Sequence, residues 1–225
     1  MGKNKLKKYA ETLQYENILQ PNKQKLFNGY ELIGRWHEEV FGNKKPIVLE
    51  LGAGKGEYSL MLAAKHPEKN YVAIDIKGDR LLKGAKEAKE QNLQNLVFLR
   101  IQIEHIEMVF GKDEVDEIWI TFPDPFPKKT RAKNRMTSKR FLNRYKNVLK
   151  KNGIIHLKTD NTQFFDFTHE TLSELNQEIL FSTYDLYNEK NYDNSDAKSL
   201  QTYYERKWLE DGAKIKYMDF RLNLD

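Results

Sequence analysis

The chain has no cysteine among its 225 residues. Disulfides, thiolate metal sites and cysteine nucleophiles are thereby excluded. No run approaches the roughly 18 consecutive apolar residues that a membrane-spanning helix needs. The N-terminus, MGKNKLKKYAETLQYEN, is basic but lacks the apolar core of a secretory signal. A soluble cytoplasmic protein that does not engage membranes is expected. The histidines, His37, His66, His105, His156 and His169, show no ligand spacing, so no metal site is expected. Internal repeats and interdomain linkers are also missing. Residues 1–45 read as a basic N-terminal extension and residues 46–225 as a single domain.

Proline is scarce and unevenly placed. Of six prolines, Pro123, Pro125 and Pro127 crowd into TFPDPFPKKTRAKNR, residues 121–135. An acid set between prolines, Asp124, suits a buried active-site turn. Acids are then absent from Asp124 to Asp160, where Lys128, Lys129, Arg131, Lys133, Arg135, Lys139, Arg140, Arg144, Lys146, Lys150, Lys151 and Lys158 all fall. A solvated helix face usually mixes both signs, so the missing acids point to a polyanion. Lys3, Lys5, Lys7 and Lys8 form a second cluster, and the formal net charge is +5.

What is present is strand–helix alternation. PIVLEL (46–51), YVAIDI (71–76), LVFLRI (96–101), EIWIT (117–121) and GIIHLKT (153–159) read as short buried strands. Residues 57–66, 79–91 and 137–150 show helical spacing of apolar side chains, and 161–178 reads as a further helix. Two late strands are expected near 179–186 and 214–221, joined by a polar segment. The pattern predicts an α/β fold, doubly wound, with a mostly parallel sheet and helices on both faces.

ELGAGKGE (50–57) follows the first of these strands and opens a helix. Gly52 and Gly54 let a ligand approach the backbone closely, at the strand ends where such sheets bind ligands. Two ligand classes compete: a dinucleotide on the helix N-terminus, or S-adenosylmethionine, which has no phosphate. Glu50 and Glu57 would repel a pyrophosphate and suit the cationic methionine end of S-adenosylmethionine. Asp75, closing the next strand, can accept from both ribose hydroxyls of either ligand.

ELGAGKGE, AID (73–75), FPDPFPKK (122–129), HLKTD (156–160) and TYYERKW (202–208) together carry a resemblance. The chain resembles the tRNA (guanine-N7)-methyltransferases, class I enzymes with a Rossmann-like fold that modify guanine 46 of the tRNA variable loop. The resemblance covers residues 47 to 220. It implies S-adenosylmethionine as cofactor, contacted by Glu50, Asp75, Gln102 and Asp124, and tRNA as partner, contacted by Lys128, Asp160 and the segment Thr202–Glu205, with Tyr204 inside it. The family often has an acid or asparagine where Gln102 stands, a tryptophan at Phe126, and a histidine soon after the paired lysines, where this chain has Thr130 and Arg131.

The chemistry so implied needs no strong base. Guanine N7 carries an in-plane lone pair, so the enzyme mainly aligns the reacting atoms. Asp124 then serves as the catalytic residue, accepting from the guanine edge or stabilising the charge that develops on the ring. Phe126 can stack on the base or simply pack. Asp160 borders the cleft or caps the following helix. Glu205 reads a guanine edge if the resemblance holds, and is otherwise a surface acid. The rivals are another S-adenosylmethionine-dependent RNA methyltransferase and a non-catalytic RNA-binding protein. Amino-directed enzymes commonly carry a second proline that Asp124-Pro125-Phe126 lacks, and pyrimidine C5 methylation needs a cysteine. A dehydrogenase leaves Glu50 and the basic run unexplained, and a binding module leaves the acids and glycines unexplained.

Overall fold

The computed structural model describes residues 11–190, 192 and 195–223. The cluster Lys3, Lys5, Lys7 and Lys8 lies outside them. Eight strands form one sheet: β1 (Ile18–Leu19), β2 (Ile47–Leu51), β3 (Asn70–Asp75), β4 (Leu96–Arg100), β5 (Val115–Thr121), β6 (Leu149–Thr159), β7 (Glu178–Thr183) and β8 (Lys216–Arg221). Their order is β1-β4-β3-β2-β5-β6-β8-β7. Every pair from β1 to β6 is parallel, and β8 runs antiparallel to both β6 and β7. The five principal strands and the two late ones fall where the apolar runs predict them.

Among the described residues, five helices of eight residues or more cover the sheet: α1 (Glu57–Lys65), α2 (Gly78–Glu90), α3 (Lys139–Val148), α4 (Thr162–Glu174) and α5 (Tyr203–Glu210). Tyr58 and Leu62 of α1 and Leu81 and Ala85 of α2 fill the core on one face, and Phe141 of α3 with Phe164 and Phe165 of α4 fill the other. The fold is thus the doubly wound α/β arrangement, with strands buried on both faces as parallel sheets require. Among the described residues no helix is long and apolar enough to cross a membrane.

Residues 11–45 do more than precede this domain. β1 extends the sheet beside β4. Trp36 is fully buried, stacks on Phe110 at 4.6 Å and donates its indole N–H to the Val109 carbonyl at 2.7 Å. The buried Glu114 carboxylate accepts from the backbone N–H groups of Gly34, Trp36 and Gly111. Alternation alone did not reveal β1, because two residues carry no period.

The polar segment before the last strand contains helix α5. Thr202 caps it by accepting from the Glu205 N–H, while Glu205 reaches back to the Thr202 N–H. That reciprocal pair is readable in sequence as Thr-x-x-Glu, a helix-start signal that satisfies two otherwise orphan donors.

Candidate active site

Chain order reverses between β2 and β5, which lie side by side, and a crevice opens at their carboxyl ends. The loop after β2 is stitched to the end of β3: Gly52 and Ala53 both donate to the Ile74 carbonyl at 2.9 Å. Gly52 and Gly54 have φ of 73° and 61°, left-handed values that cost L side chains about 1–2 kcal/mol. A Cβ on Gly52 would also strike Met136 Cε at 2.8 Å. Helix α2 approaches this loop so closely that a Cβ on Gly84 would lie 2.0 Å from the Lys55 carbonyl oxygen.

Two adjoining hollows, of ≈ 430 and ≈ 290 Å³, share Gly52, Arg80 and Phe122. The larger is lined by Asp75, Gln102, Asp124 and Phe126, with Ile76, Ile101 and Met136 as apolar wall. The smaller is lined by Glu50, Gly54, Glu57, Thr202, Tyr204 and Trp208. The structure therefore gathers Glu50, Gly52, Gly54, Asp75, Gln102, Asp124, Thr202 and Tyr204 around one cleft. Arg80, Phe122, Met136 and Trp208 belong to it too. Sequence reading gave none of them a role: Phe122 and Trp208 lie inside the FPDPFPKK and TYYERKW stretches but were not singled out there, and Arg80 and Met136 belong to no motif.

Glu50 is buried at 3% exposure. One oxygen accepts from the Ser59 N–H at 3.0 Å and hydroxyl at 2.6 Å, and the other from the Thr121 hydroxyl at 2.7 Å. No described residue pairs a cation with it. Burial pushes its carboxyl up to about 7, against the lowering effect of those hydrogen bonds. Asp75 accepts from the Gly54 N–H at 2.9 Å and the Lys77 N–H at 2.8 Å, which leaves each oxygen a further lone pair. The residues fit S-adenosylmethionine: a buried carboxylate without a counter-ion for the ammonium, and Asp75 and Gln102 beside an apolar wall for the nucleoside.

The raised Glu50 carboxyl sets a pH dependence. The ligand-free folded state holds a proton there that the unfolded chain, titrating near 4.5, gives up earlier. Stability from this group is therefore complete below about pH 4.5 and is lost as pH rises through about 7. On the reading that the ammonium of S-adenosylmethionine lies on Glu50, binding favours the ionised form and affinity falls about tenfold per unit below about pH 7. Calorimetry in two buffers of different ionisation enthalpy will show proton release at pH 6 and none in Glu50→Gln. Equal proton release in both proteins would remove Glu50 from this role.

Asp124 follows β5 on a turn expected to be buried. It is exposed instead, and its carboxylate bonds no described residue. The strain sits on either side of it, where Phe122 and Phe126 have φ of 50° and 41°. Non-glycine residues persist there only where their surroundings fix them. Arg135 supplies part of that hold. Buried at 5% exposure, it donates to the Pro125 carbonyl at 3.0 Å and the Phe126 carbonyl at 3.1 Å, with its guanidinium 4.4 Å from the Phe167 ring centre. Arg135 thus braces the turn and is not available to a phosphate.

The rest of the basic run divides likewise. Lys139, Arg140, Arg144 and Lys150 pair with Glu174, Glu104, Glu107 and Asp116, all from outside the acid-free segment. Their acids were missing from the sequence window but not from the fold. Lys128, Lys129, Arg131 and Lys133 remain exposed and form no ion pair among the described residues. They follow the Asp124 turn directly.

Lys158 and Glu205 correct two further expectations. Both side chains are 0% exposed and their charged atoms lie 2.7 Å apart. Lys158 also donates to the Ala197 carbonyl at 2.8 Å and the Leu200 carbonyl at 3.1 Å, so all three ammonium hydrogens have acceptors. Burial pushes the Lys158 ammonium below its usual range, against the pull of Glu205. Glu205 also accepts from the Tyr187 hydroxyl at 2.6 Å. It is not a surface acid, and in this arrangement its carboxylate fastens α5 rather than facing the cleft. Glu57 holds the same segment by accepting from the Tyr203 N–H at 2.9 Å. Asp160 is exposed and does not cap α4; Asn161 does, accepting from the Phe164 N–H at 2.8 Å. Among the described residues no group of three or more metal-ligating side chains assembles.

A family model described as "Putative methyltransferase" matches residues 44–218. A tRNA (guanine-N(7)-)-methyltransferase of Christiangramia forsetii is 49% identical over 222 residues, covering 98% of this chain and 99% of its own. The protein of that name from Bacteroides thetaiotaomicron is 45% identical over 223 residues, covering 99% and 87%. Among solved structures, the 16S rRNA methyltransferase KamB superposes with a TM-score of 0.61 at 17% identity, over 81% of this chain and 90% of that one, a likeness of fold. With relatives this similar over nearly its whole length, the chain belongs to the tRNA (guanine-N7)-methyltransferase family.

Proposed function

We propose that this protein transfers the methyl group of S-adenosylmethionine to N7 of guanine 46 in the variable loop of tRNA. The observation that carries the reading is the placement of Asp124. It stands exposed between a cradle lined by Glu50 and Asp75 and four cations without acidic partners. S-adenosylmethionine, when bound, supplies a methyl group already activated on a sulfonium. Guanine N7 forms its new bond through a lone pair as the sulfur–carbon bond breaks, and no proton has to leave. Orientation supplies roughly 7–11 kcal/mol of such a barrier. Asp124 accepts from guanine N1–H and N2–H₂ and stabilises the positive charge arriving on the ring.

Lys128, with Lys129, Arg131 and Lys133, holds RNA phosphates beside the turn. Thr202 and Tyr204 approach the substrate from α5, which Glu205 keeps in place, and Asp160, exposed after β6 and outside the lining of both hollows, meets the RNA beyond them. The names of the relatives support guanine N7 and tRNA. The test is direct: methylate a tRNA transcript with methyl-labelled S-adenosylmethionine, digest it and identify the labelled nucleoside. The expected product is 7-methylguanosine, and a transcript with adenine at position 46 takes no label. Label in any other nucleoside, or undiminished labelling of the altered transcript, would sink the reading.

The unpaired cations give a second expectation. Replacing Lys128, Arg131 and Lys133 with alanine flattens the plot of log tRNA affinity against log salt by roughly 0.7–0.9 for each phosphate no longer neutralised. Affinity for different tRNAs falls alike, since phosphates carry little sequence information. An unchanged slope would make this run a solvated face.

A further inference from the structure

The cleft has two rims, and the sheet order dictates where they lie. β3 and β5 flank β2 on opposite sides. The Asp124 turn and its cations follow β5. Helix α2 follows β3 and opens on the other side of the crevice. Lys77, just before α2, and Arg80, in its first turn, are both exposed and both line the larger hollow. Arg80 lines the smaller one as well, so it stands where the two halves meet. Neither side chain makes a hydrogen bond or ion pair with any described residue.

That freedom is informative because acids surround the site. Asp75 turns its carboxylate onto the backbone of Gly54 and Lys77. Glu104 is bridged to Arg140 at 3.4 Å. Asp79 lies on the same helix, and Asp124 lies across the cleft. None of them pairs with Arg80. A guanidinium left unpartnered in such a setting is presented to a ligand. A cationic cofactor gains nothing from two added cations at its nucleoside end. A single ligand carboxylate would occupy Arg80 and leave Lys77 idle. A chain of phosphates crossing the crevice engages both, and the planar fork of arginine matches a phosphate in two-point contact.

We infer that Lys77 and Arg80 form a second phosphate-binding rim, so that tRNA spans the cleft and is held on both sides of the target base. Arg80 is the positioning residue of this rim. The inference rests on the reading of the protein as a tRNA methyltransferase, and adds a path for the RNA that the basic run does not contain. With phosphates fixed on both sides, the intervening nucleotide is directed at Asp124 and the cofactor cradle.

The test uses the full-length protein and tRNA. Both residues are exposed and bond nothing inside the protein, so Lys77→Ala/Arg80→Ala keeps the fold. Its plot of log tRNA affinity against log salt becomes shallower by roughly 0.7–0.9 for each phosphate released from the rim. Arg80→Lys, which keeps the charge, stays near the wild-type slope. Calorimetric affinity for S-adenosylmethionine falls less than affinity for tRNA in both variants. The weakening adds to that of the opposite-rim triple variant, as expected for separated sites. A wild-type slope in the double variant overturns the inference. So does weakened cofactor binding with a retained slope, which would assign Arg80 to the ligand's carboxylate. Failure of the reaction itself is read separately, in whether the wild-type protein makes 7-methylguanosine.

Discussion

Asp124→Asn lowers the single-turnover rate of tRNA methylation by about 100- to 1,000-fold, the effect of removing one preorganised charge partner of a transition state. Affinities for tRNA and S-adenosylmethionine change far less, because the amide keeps the shape and one acceptor. The structure makes this a clean substitution. The carboxylate is exposed and bonds no described residue, so the interior is untouched and the melting temperature stays at its wild-type value. The turn survives as well, since it is held by Arg135 on the carbonyls of Pro125 and Phe126, not by the Asp124 side chain. On the proposed reading, what disappears is the negative charge facing a ring that becomes positive, and one of the two oxygens that would meet N1–H and N2–H₂. Rapid-quench measurement with enzyme in excess isolates the chemical step. A wild-type rate there would reduce Asp124 to a turn residue.

Lys158→Ala or Glu205→Ala alone destabilises the protein by about 3–5 kcal/mol, because each leaves the partner charge buried without compensation. The pair is fully dry, and Lys158 spends its three hydrogens on Ala197, Leu200 and Glu205. Replacing both at once, Lys158→Met with Glu205→Leu, restores most of the stability, since desolvating two ions offsets much of what their attraction returns. Urea denaturation of the two single variants and the double variant gives the coupling between them. Single variants destabilised by less than about 1 kcal/mol would show that water reaches the pair. The consequence for the site follows from position. The pair joins the end of β6 to the segment that carries Thr202 and Tyr204, so the single variants also weaken tRNA methylation at temperatures where they remain folded.

Much of this is legible in the chain itself. Short unbroken apolar runs mark the principal strands, helical spacing marks the helices between them, and their alternation leaves a parallel doubly wound sheet as the way to bury both. The glycines after β2 and the acids Glu50 and Asp75 mark the ligand end, because strand order and chain direction put them there. Charge was legible only as composition. The acid-free stretch from Lys128 to Lys158 looked uniform, yet the fold sends Lys139, Arg140, Arg144 and Lys150 to distant acids, Arg135 to two carbonyls and Lys158 to Glu205. A partner far away in sequence cannot be read from a window. Glu205 differs in kind: its capping role is local and was readable in Thr-x-x-Glu, while its burial against Lys158 was not. The sequence by itself determined the principal strands, the glycine loop with its flanking acids, and the family resemblance. The tertiary structure alone decided which cations are free to meet RNA and which hold the protein together, because an ion pair depends on distance in space and on burial.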